Sequence, residues 1–259
     1  MAAAAGGPGV VPVRPTPARA VGPAAGHRAD DLAIAGLVPT STVDWPGRIV
    51  ATAFLQGCPW RCTYCHNAAI LDPRTPGVVP WARVRALLER RAGLLDGVVF
   101  SGGEPTRQVA LLDAVREVRA AGFAVGLHTG GAYPKRLAAL LPHLDWVGLD
   151  VKAPAHLYRA ITRTGGPTTS AVQAFASLRQ VLDSGVPVQV RTTVDPTVLT
   201  AEDVAGLTAT LEGLGVRDHV LQRVRPDGTT DEYRAALAAG SAATDHPAGS
   251  TREAGPGHA

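Results

Sequence analysis

The chain has 259 residues, 46% of them hydrophobic, which is enough to bury the core of a single domain. Its formal net charge of +3 is too small for the concentrated basic face of a nucleic-acid-binding protein. The sequence contains no apolar run long enough to span a bilayer. We therefore expect a protein with no nucleic-acid partner and no membrane partner.

Composition divides the chain into a central domain and two atypical ends. Residues 1–29 are mostly Ala, Gly, Pro and Val, and their prolines and glycines interrupt any apolar segment of the signal-peptide type. Residues 240–259 are rich in small and polar residues. We predict a disordered leader at 1–29, one domain at 30–239 and a disordered tail at 240–259.

In the central domain, short apolar segments alternate with amphipathic ones, a pattern typical of a parallel β-sheet with crossover helices. Pro80 is expected to begin a helix, and Ser170 and Thr200 each begin a capping-box pattern for a later one. The sequence predicts an α/β fold, a partial (βα)6 barrel with functional groups at the carboxyl ends of its strands. The predicted strands span 50–55, 97–101, 123–129, 146–151, 188–194 and 219–224.

The three cysteines of the chain, Cys58, Cys62 and Cys65, directly follow the first predicted strand. Three thiolates can hold three corners of a [4Fe–4S] cluster, whereas a cluster ligated wholly by protein needs four. The fourth iron would then be open to another ligand, and we expect the chemistry there.

Other uses of these cysteines are weaker. An odd number at such tight spacing argues against a disulfide framework. A zinc site would need His66, which directly follows Cys65 and is badly spaced for a tetrahedron. A buried helical stripe is disfavoured by Pro59, which lacks an amide donor.

Two further motifs lie at strand ends. Gly102, Gly103 and Glu104 follow the second predicted strand, where glycines let a ligand approach the backbone. A tight turn capped by Glu104 is the structural alternative. Asp150 and Lys152 end the fourth strand and share one face of it, so they form either part of a site or a structural pair.

Arg191 lies within the fifth predicted strand, on the opposite face to Val188 and Val190. A buried guanidinium requires an anionic partner, which could be the carboxylate of a ligand or a nearby acidic side chain. Gln222 lies near the end of the last predicted strand.

The spacing C-x3-C-x2-C, with Tyr64 before the last cysteine, resembles the radical S-adenosylmethionine (SAM) superfamily. The segments 43–47, 54–58 and 65–67 resemble one branch, the anaerobic ribonucleoside-triphosphate reductase activating proteins, which are glycyl-radical enzyme activases. This likeness extends from about residue 36 to residue 226. The cysteine motif is specific to the superfamily, whereas the assignment to this branch depends on the less specific sequence segments.

The resemblance implies a [4Fe–4S] cluster and SAM as cofactors, with the three cysteines as catalytic cluster ligands. Asn67 is expected to order the cysteine loop. The resemblance also assigns the contacts of SAM: its amino group to Gly102, Gly103 and Glu104, its ribose region to Asp150 and Lys152, its carboxylate to Arg191, and its adenine to Tyr64 and Gln222.

The implied activity is that of a radical SAM oxidoreductase. Reductive cleavage of SAM would give a 5′-deoxyadenosyl radical that takes a hydrogen atom from a glycine of a partner reductase polypeptide. The electron would come from a flavodoxin- or ferredoxin-like donor, in the cytoplasm. No further cysteines are present for an inserted ferredoxin-like module.

Three alternatives are left open. The protein could activate another glycyl-radical enzyme, such as a formate-lyase, or act on a small molecule as deazaguanine-forming synthases do. It could instead be a non-catalytic iron–sulfur electron carrier. The presence of only three cysteines argues against a carrier, because a carrier normally shields its cluster with four ligands.

Overall fold

The computed structural model describes residues 28–166 and 169–241. The predicted partial barrel is confirmed, since six parallel strands form one sheet in chain order and a seventh, antiparallel strand lies at its edge. The strands are β1 (Ile34–Ser41), β2 (Val50–Leu55), β3 (Gly97–Gly102), β4 (Ala124–Thr129), β5 (Trp146–Asp150), β6 (Val188–Val194) and β7 (His219–Arg223).

The edge strand β1 was not predicted, because Pro39 lies inside it. Proline cannot donate a ladder hydrogen bond and is therefore confined to edge strands or bulges. Both conditions hold here: β1 is the edge strand of the sheet, with β2 as its one neighbouring strand, and the pairing register shifts between Val38 and Ser41.

Helices connect the parallel strands. The helix predicted to begin at Pro80 is α1, with Pro80 as its N-cap, and the capping box of Thr200 and Asp203 is present at the start of α6. The box predicted at Ser170 is wrong, because that residue lies inside its helix. The helices are α1 (Trp81–Arg90), α2 (Leu111–Ala120), α3 (Pro134–Leu140), α4 (Tyr158–Thr162), α5 (Thr169–Ser184), α6 (Ala201–Gly213) and α7 (Asp231–Ser241).

The strands separate two hydrophobic clusters. Alternate residues such as Val98 and Phe100 belong to the large core that includes the helices. Residues of the opposite parity face the concave side of the sheet, called the lumen below. There the rings of Trp45 and Trp146 stack at 5.6 Å between centroids. Together with Val50 and Val99 they form the lumen floor.

Residues 1–27 and 242–259, which hold most of the predicted leader and tail, lie outside the described residues. The domain boundaries therefore stay predictions. None of the helices in the described part of the chain combines the length and apolar character that a bilayer crossing requires.

We predict that Leu127→Ala destabilises the domain by about 2–5 kcal/mol, because it removes buried methyl groups and leaves a cavity. Leu127 is 1% exposed in the central strand β4. The free energy of unfolding from urea denaturation measures the loss. Leu94→Ala is the matched control, since Leu94 is 63% exposed and its truncation should change stability little. Equal losses in the two variants would contradict the assigned core.

Candidate active site

The cysteine loop, residues 56–67, leaves the carboxyl end of β2 and crosses the mouth of the barrel, which is the edge formed by the carboxyl ends of the parallel strands. Its three cysteines are free and half-buried. The amides of Arg61 and Thr63 donate to the carbonyls of Thr162 and Ile161, at 2.9 and 3.0 Å. The loop is therefore anchored on α4 between its cysteines.

Burial sets the protonation of these thiols. It raises the pKa of Cys58 to about 12 and that of Cys62 to about 11, and it also raises the pKa of Cys65. A metal ligand must be a thiolate, so ligation would release protons from all three side chains. Without metal, neutral thiols are expected at physiological pH.

The arrangement of the cysteines suits a cluster better than a single ion. Within residues 28–166 and 169–241, no three His, Cys, Asp or Glu side chains converge closely enough to hold one metal ion. In a [4Fe–4S] cluster each cysteine binds its own iron, so the three sulfur atoms need not converge on one point. Three free cysteines on one half-buried loop fit such a group.

Gly102 and Gly103 lie directly beneath the cysteine loop. A Cβ at Gly103 would lie 2.4 Å from the carbonyl oxygen of Gly57, and one at Gly102 would lie 2.4 Å from the amide nitrogen of Leu55. The Asn67 side chain donates to the carbonyl of Gly102 at 3.3 Å. The glycines thus permit close packing of β3 on the loop, and Asn67 contacts this junction from the loop side.

Glu104 is buried, with 1% of its surface exposed. Its Oε1 accepts hydrogen bonds from the amide of Thr106 and from the hydroxyls of Thr106 and Thr129, at 3.1, 2.6 and 2.7 Å. Its Oε2 accepts from the amide of Gly130 at 2.9 Å. The capped turn is therefore present and joins the ends of β3 and β4; contact between Glu104 and SAM stays a prediction.

Asp150, Lys152 and Arg191 meet at the mouth of the barrel. Arg191 Nε and Nη2 lie 3.0 and 2.9 Å from Asp150 Oδ1, and Lys152 Nζ lies 3.4 Å from Asp150 Oδ2. Burial alone would raise the pKa of Asp150, but the two cations outweigh it and lower the pKa to about 2. One carboxylate between two cations leaves this group with one excess positive charge.

Lys152 connects this group to the cysteine loop. Its Nζ lies 5.9 Å from the ring centroid of Trp60 and 5.7 Å from that of Tyr64, within the range of cation–π attraction. Tyr64 is 6% exposed, so it is a core aromatic that anchors the loop. Its predicted proximity to adenine is not tested by these contacts.

Gln222 lies at the lumen side of β7. Its Oε1 accepts a hydrogen bond from the hydroxyl of Thr193 on β6, at 3.3 Å. This bond orients the side-chain amide: its oxygen accepts from Thr193, and its NH2 group, with two N–H donors, lies at the other end.

His128 faces the lumen beside Arg191 and was not among the site residues predicted from the sequence. Burial, reinforced by the adjacent Arg191, lowers the pKa of His128 to about 3. The neutral ring donates from Nε2 to the carbonyl of Asp44 at 2.7 Å and accepts at Nδ1 from the hydroxyl of Ser101 at 3.3 Å. The alternation of side chains along β4 could have identified it: His128 lies two residues beyond Gly126, which faces Trp45, so both residues lie on the lumen side of the strand.

We predict that stability falls as pH is lowered from 6.5 towards 3, partly through His128. Its pKa is lowered from its ordinary value of 6.5, so in this interval the unfolded chain binds a proton there that the folded chain does not. His128→Gln should reduce the slope of unfolding free energy against pH by about one proton. Urea denaturation of the reduced apoprotein across this range measures the slope.

The matched control for this prediction is His156→Gln. His156 is a surface residue whose side chain is 71% exposed. An unchanged slope in the His128→Gln variant, or an equal change in both variants, would contradict the buried neutral state of His128.

The part of the chain that forms this site is similar to known proteins. The radical SAM superfamily matches residues 52–212, which contain the cysteine loop and the strand-end groups up to Arg191. A protein of Methanocaldococcus jannaschii named as a glycyl-radical enzyme activating enzyme is 28% identical over 207 residues, covering 77% of this chain and 82% of that protein. The pyruvate formate-lyase-activating enzyme of Clostridium pasteurianum is 30% identical over 171 residues, covering 62% and 68%.

Among solved structures, anSMEcpe with bound AdoMet is similar in fold, with a TM-score of 0.52 and 17% sequence identity. The similarity covers 66% of this chain and 48% of the other, so this chain spans about half the length of that protein. Because the superfamily match covers more than half of the chain and includes all three cysteines, the protein belongs to the radical SAM superfamily, whose members use a [4Fe–4S] cluster and SAM.

Proposed function

We propose that this protein is a glycyl-radical enzyme activase whose partner is an anaerobic ribonucleoside-triphosphate reductase. One observation carries the proposal: three free, half-buried cysteines share the barrel mouth with a group of two cations and one carboxylate. Three cysteines suit a cluster with one open iron, and the charged group suits a polar ligand with its own carboxylate. Lys152 joins the two parts through Trp60 and Tyr64.

Cys58, Cys62 and Cys65 would hold the cluster at three of its irons. When bound, the cluster and SAM supply the reductive cleavage of the S–C5′ bond to methionine and a 5′-deoxyadenosyl radical. The chain contributes the ligands and excludes water: its cysteine loop packs on Gly102 and Gly103 below and on α4 at the side.

Arg191 is proposed to bind the carboxylate of SAM. Its Nε and Nη2 face Asp150, whereas its Nη1 lies 3.3 Å from His128 Nε2. That ring nitrogen carries the proton donated to the carbonyl of Asp44, so it has no lone pair with which to accept a hydrogen bond from Arg191. Nη1 is therefore suited to an incoming anion, and Asp150 orients the guanidinium.

The remaining SAM contacts are proposed from the positions of the residues at the mouth of the barrel. Lys152 and Asp150 would reach the ribose region, since both lie at the mouth end of β5. Gln222 would donate its side-chain N–H groups to adenine, because Thr193 occupies its oxygen. The backbone of Gly102 and Gly103, together with Glu104, would receive the amino group; the hydrogen bonds from Thr129 and Gly130 hold the Glu104 carboxylate in place at this turn.

The glycyl target is supported by the names of the two relatives described above, both of which are named as activating enzymes. Glycine suits abstraction by a buried radical because it has no side chain to exclude it from a narrow barrel. The reductase as partner depends on the strings at 43–47, 54–58 and 65–67. Within the first of these segments, Trp45 also has a structural role, because it is part of the lumen floor. A flavodoxin- or ferredoxin-like donor is proposed for the electron.

A formate-lyase as the target is the second candidate. It is favoured by the 30% identity to the pyruvate formate-lyase-activating enzyme of Clostridium pasteurianum. The electron-carrier alternative is disfavoured by membership of the radical SAM superfamily, and the small-molecule alternative by the activase names of the relatives.

We predict that Cys62→Ala abolishes SAM cleavage while the apoprotein stays folded, because the change removes one cluster ligand and only one half-buried sulfur atom at the edge of the core. After anaerobic reconstitution with iron and sulfide, dithionite and SAM are added and 5′-deoxyadenosine is quantified. Thermal unfolding of the apoprotein is the control for folding. Retained cleavage in the variant would exclude Cys62 as a cluster ligand.

We predict that the reconstituted protein generates a glycyl radical on an anaerobic ribonucleoside-triphosphate reductase, visible as an organic-radical signal by electron paramagnetic resonance. The control partner carries Ala at the glycine concerned and should give no signal. A pyruvate formate-lyase polypeptide is tested in parallel. A radical on the formate-lyase alone would reject the reductase as partner and leave the activase assignment intact.

A further inference from the structure

A side-chain hydrogen bond crosses the mouth of the barrel from the cysteine loop. Thr63, which lies between Cys62 and Tyr64, donates from its hydroxyl to Asp195 Oδ2 at 2.5 Å. The cysteine loop follows β2, whereas Asp195 directly follows β6. The bond therefore joins two strand ends that are separated in the sheet by β3, β4 and β5.

Asp195 is built as an anchor. It is 0% exposed, and a buried carboxylate is stable only when donors surround it. Its Oδ1 accepts from the amide and hydroxyl of Thr197, at 2.9 and 2.7 Å, and from the Tyr233 hydroxyl at 2.8 Å. With Thr63 on Oδ2, the carboxylate receives four hydrogen bonds, two of them from distant parts of the chain.

Tyr233 extends the anchor to the C-terminal helix. It lies in α7 and is 2% exposed. The turn before α7 also packs on the cysteine loop, since a Cβ at Gly228 would lie 3.0 Å from the carbonyl oxygen of His66. The segment from β7 to α7 thus contacts the loop directly and through Asp195.

We propose that Asp195 is a positioning residue that fixes the cysteine loop through Thr63 and couples that loop to the C-terminal helix α7 through Tyr233. The inference rests on the cluster site of the proposed function and is independent of the partner protein. Within the loop, the backbone bonds of Arg61 and Thr63 to α4 hold one side. The Thr63 hydroxyl holds the other side, next to Cys62, so its loss would let the ligating segment turn about the α4 contacts.

The test compares Thr63→Val with Thr63→Ser. Valine keeps the shape of threonine without its hydroxyl, and serine keeps the hydroxyl. Thr197→Val is the matched control, because it also removes a hydroxyl donor to Asp195 but changes only the loop after β6. The reconstituted proteins are compared by the electron paramagnetic resonance spectrum of the reduced cluster and by the rate of iron release to a chelator.

We predict about tenfold faster iron release and an altered spectrum for Thr63→Val, in line with the loss of one charge-assisted hydrogen bond. Thr63→Ser should behave as the wild type, and Thr197→Val should keep the wild-type spectrum and release rate despite a lower melting temperature. Tyr233→Phe should shift the same two readouts in the direction of Thr63→Val, to a smaller extent.

Identical cluster behaviour of Thr63→Val and Thr197→Val would overturn the proposal, because Asp195 would then serve the fold alone. If Thr63→Val does not fold, Thr63→Ala, which also removes the hydroxyl donor, replaces it; a wild-type spectrum and release rate in that variant would likewise reject the proposal. A wild-type protein that assembles the cluster but cleaves no SAM would contradict the proposed function only. Failure of the wild type to assemble a cluster would contradict both.

Discussion

The cysteine loop can lie over the end of β3 only because two residues there have no side chain, and the rest of the site depends on this close approach. A Cβ at either Gly102 or Gly103 would lie 2.4 Å from backbone atoms of the β2 end or the loop. Backbone atoms cannot move aside as a flexible side chain can. The amide of Glu104 then donates to the carbonyl of Gly57 at 3.0 Å, which joins the loop and the strand end into one unit.

Above the apolar lumen floor lies a layer of polar side chains at the mouth of the barrel. Three of them are charged, Asp150, Lys152 and Arg191, and His128 packs beside Arg191. Buried ion pairs stabilise folded proteins little, because desolvation offsets their attraction. A barrel selected for stability alone could fill this layer with apolar residues. Asp150, Lys152 and Arg191, with a neutral His128, instead present one excess positive charge beside the cysteines, which supports the ligand-binding role proposed above.

Much of the fold could be predicted from local patterns. Strands β2 and β6 have the predicted bounds, and Pro80 caps α1, because hydrophobic parity and capping act over a few residues. Errors arose where tertiary context prevailed. Pro39 concealed β1, which an edge position tolerates. Ser170 resembled a cap but lies inside α5, where the Thr162 hydroxyl donates to it at 3.1 Å.

The sequence predicted where the motif residues lie relative to the strands, but it did not predict which side chains they contact. The sequence placed Glu104 at a turn and left its second role open, and the structure shows both of its oxygens engaged by the end of β4. It left Arg191 with two candidate partners, and in the described structure Asp150 is the one that it meets. His128 carried no motif and was omitted.

The sequence by itself determined the cysteine loop, the parallel strands and the face on which each strand residue lies. These features follow from spacing and parity, which are properties of neighbouring residues. Only the tertiary structure decided which groups from distant strands meet. The hydroxyl of Thr63 and the carboxylate of Asp195 are 132 positions apart, and they form a hydrogen bond because the curved sheet brings the ends of β2 and β6 together. Parity states where a side chain points, whereas curvature and packing determine what it touches.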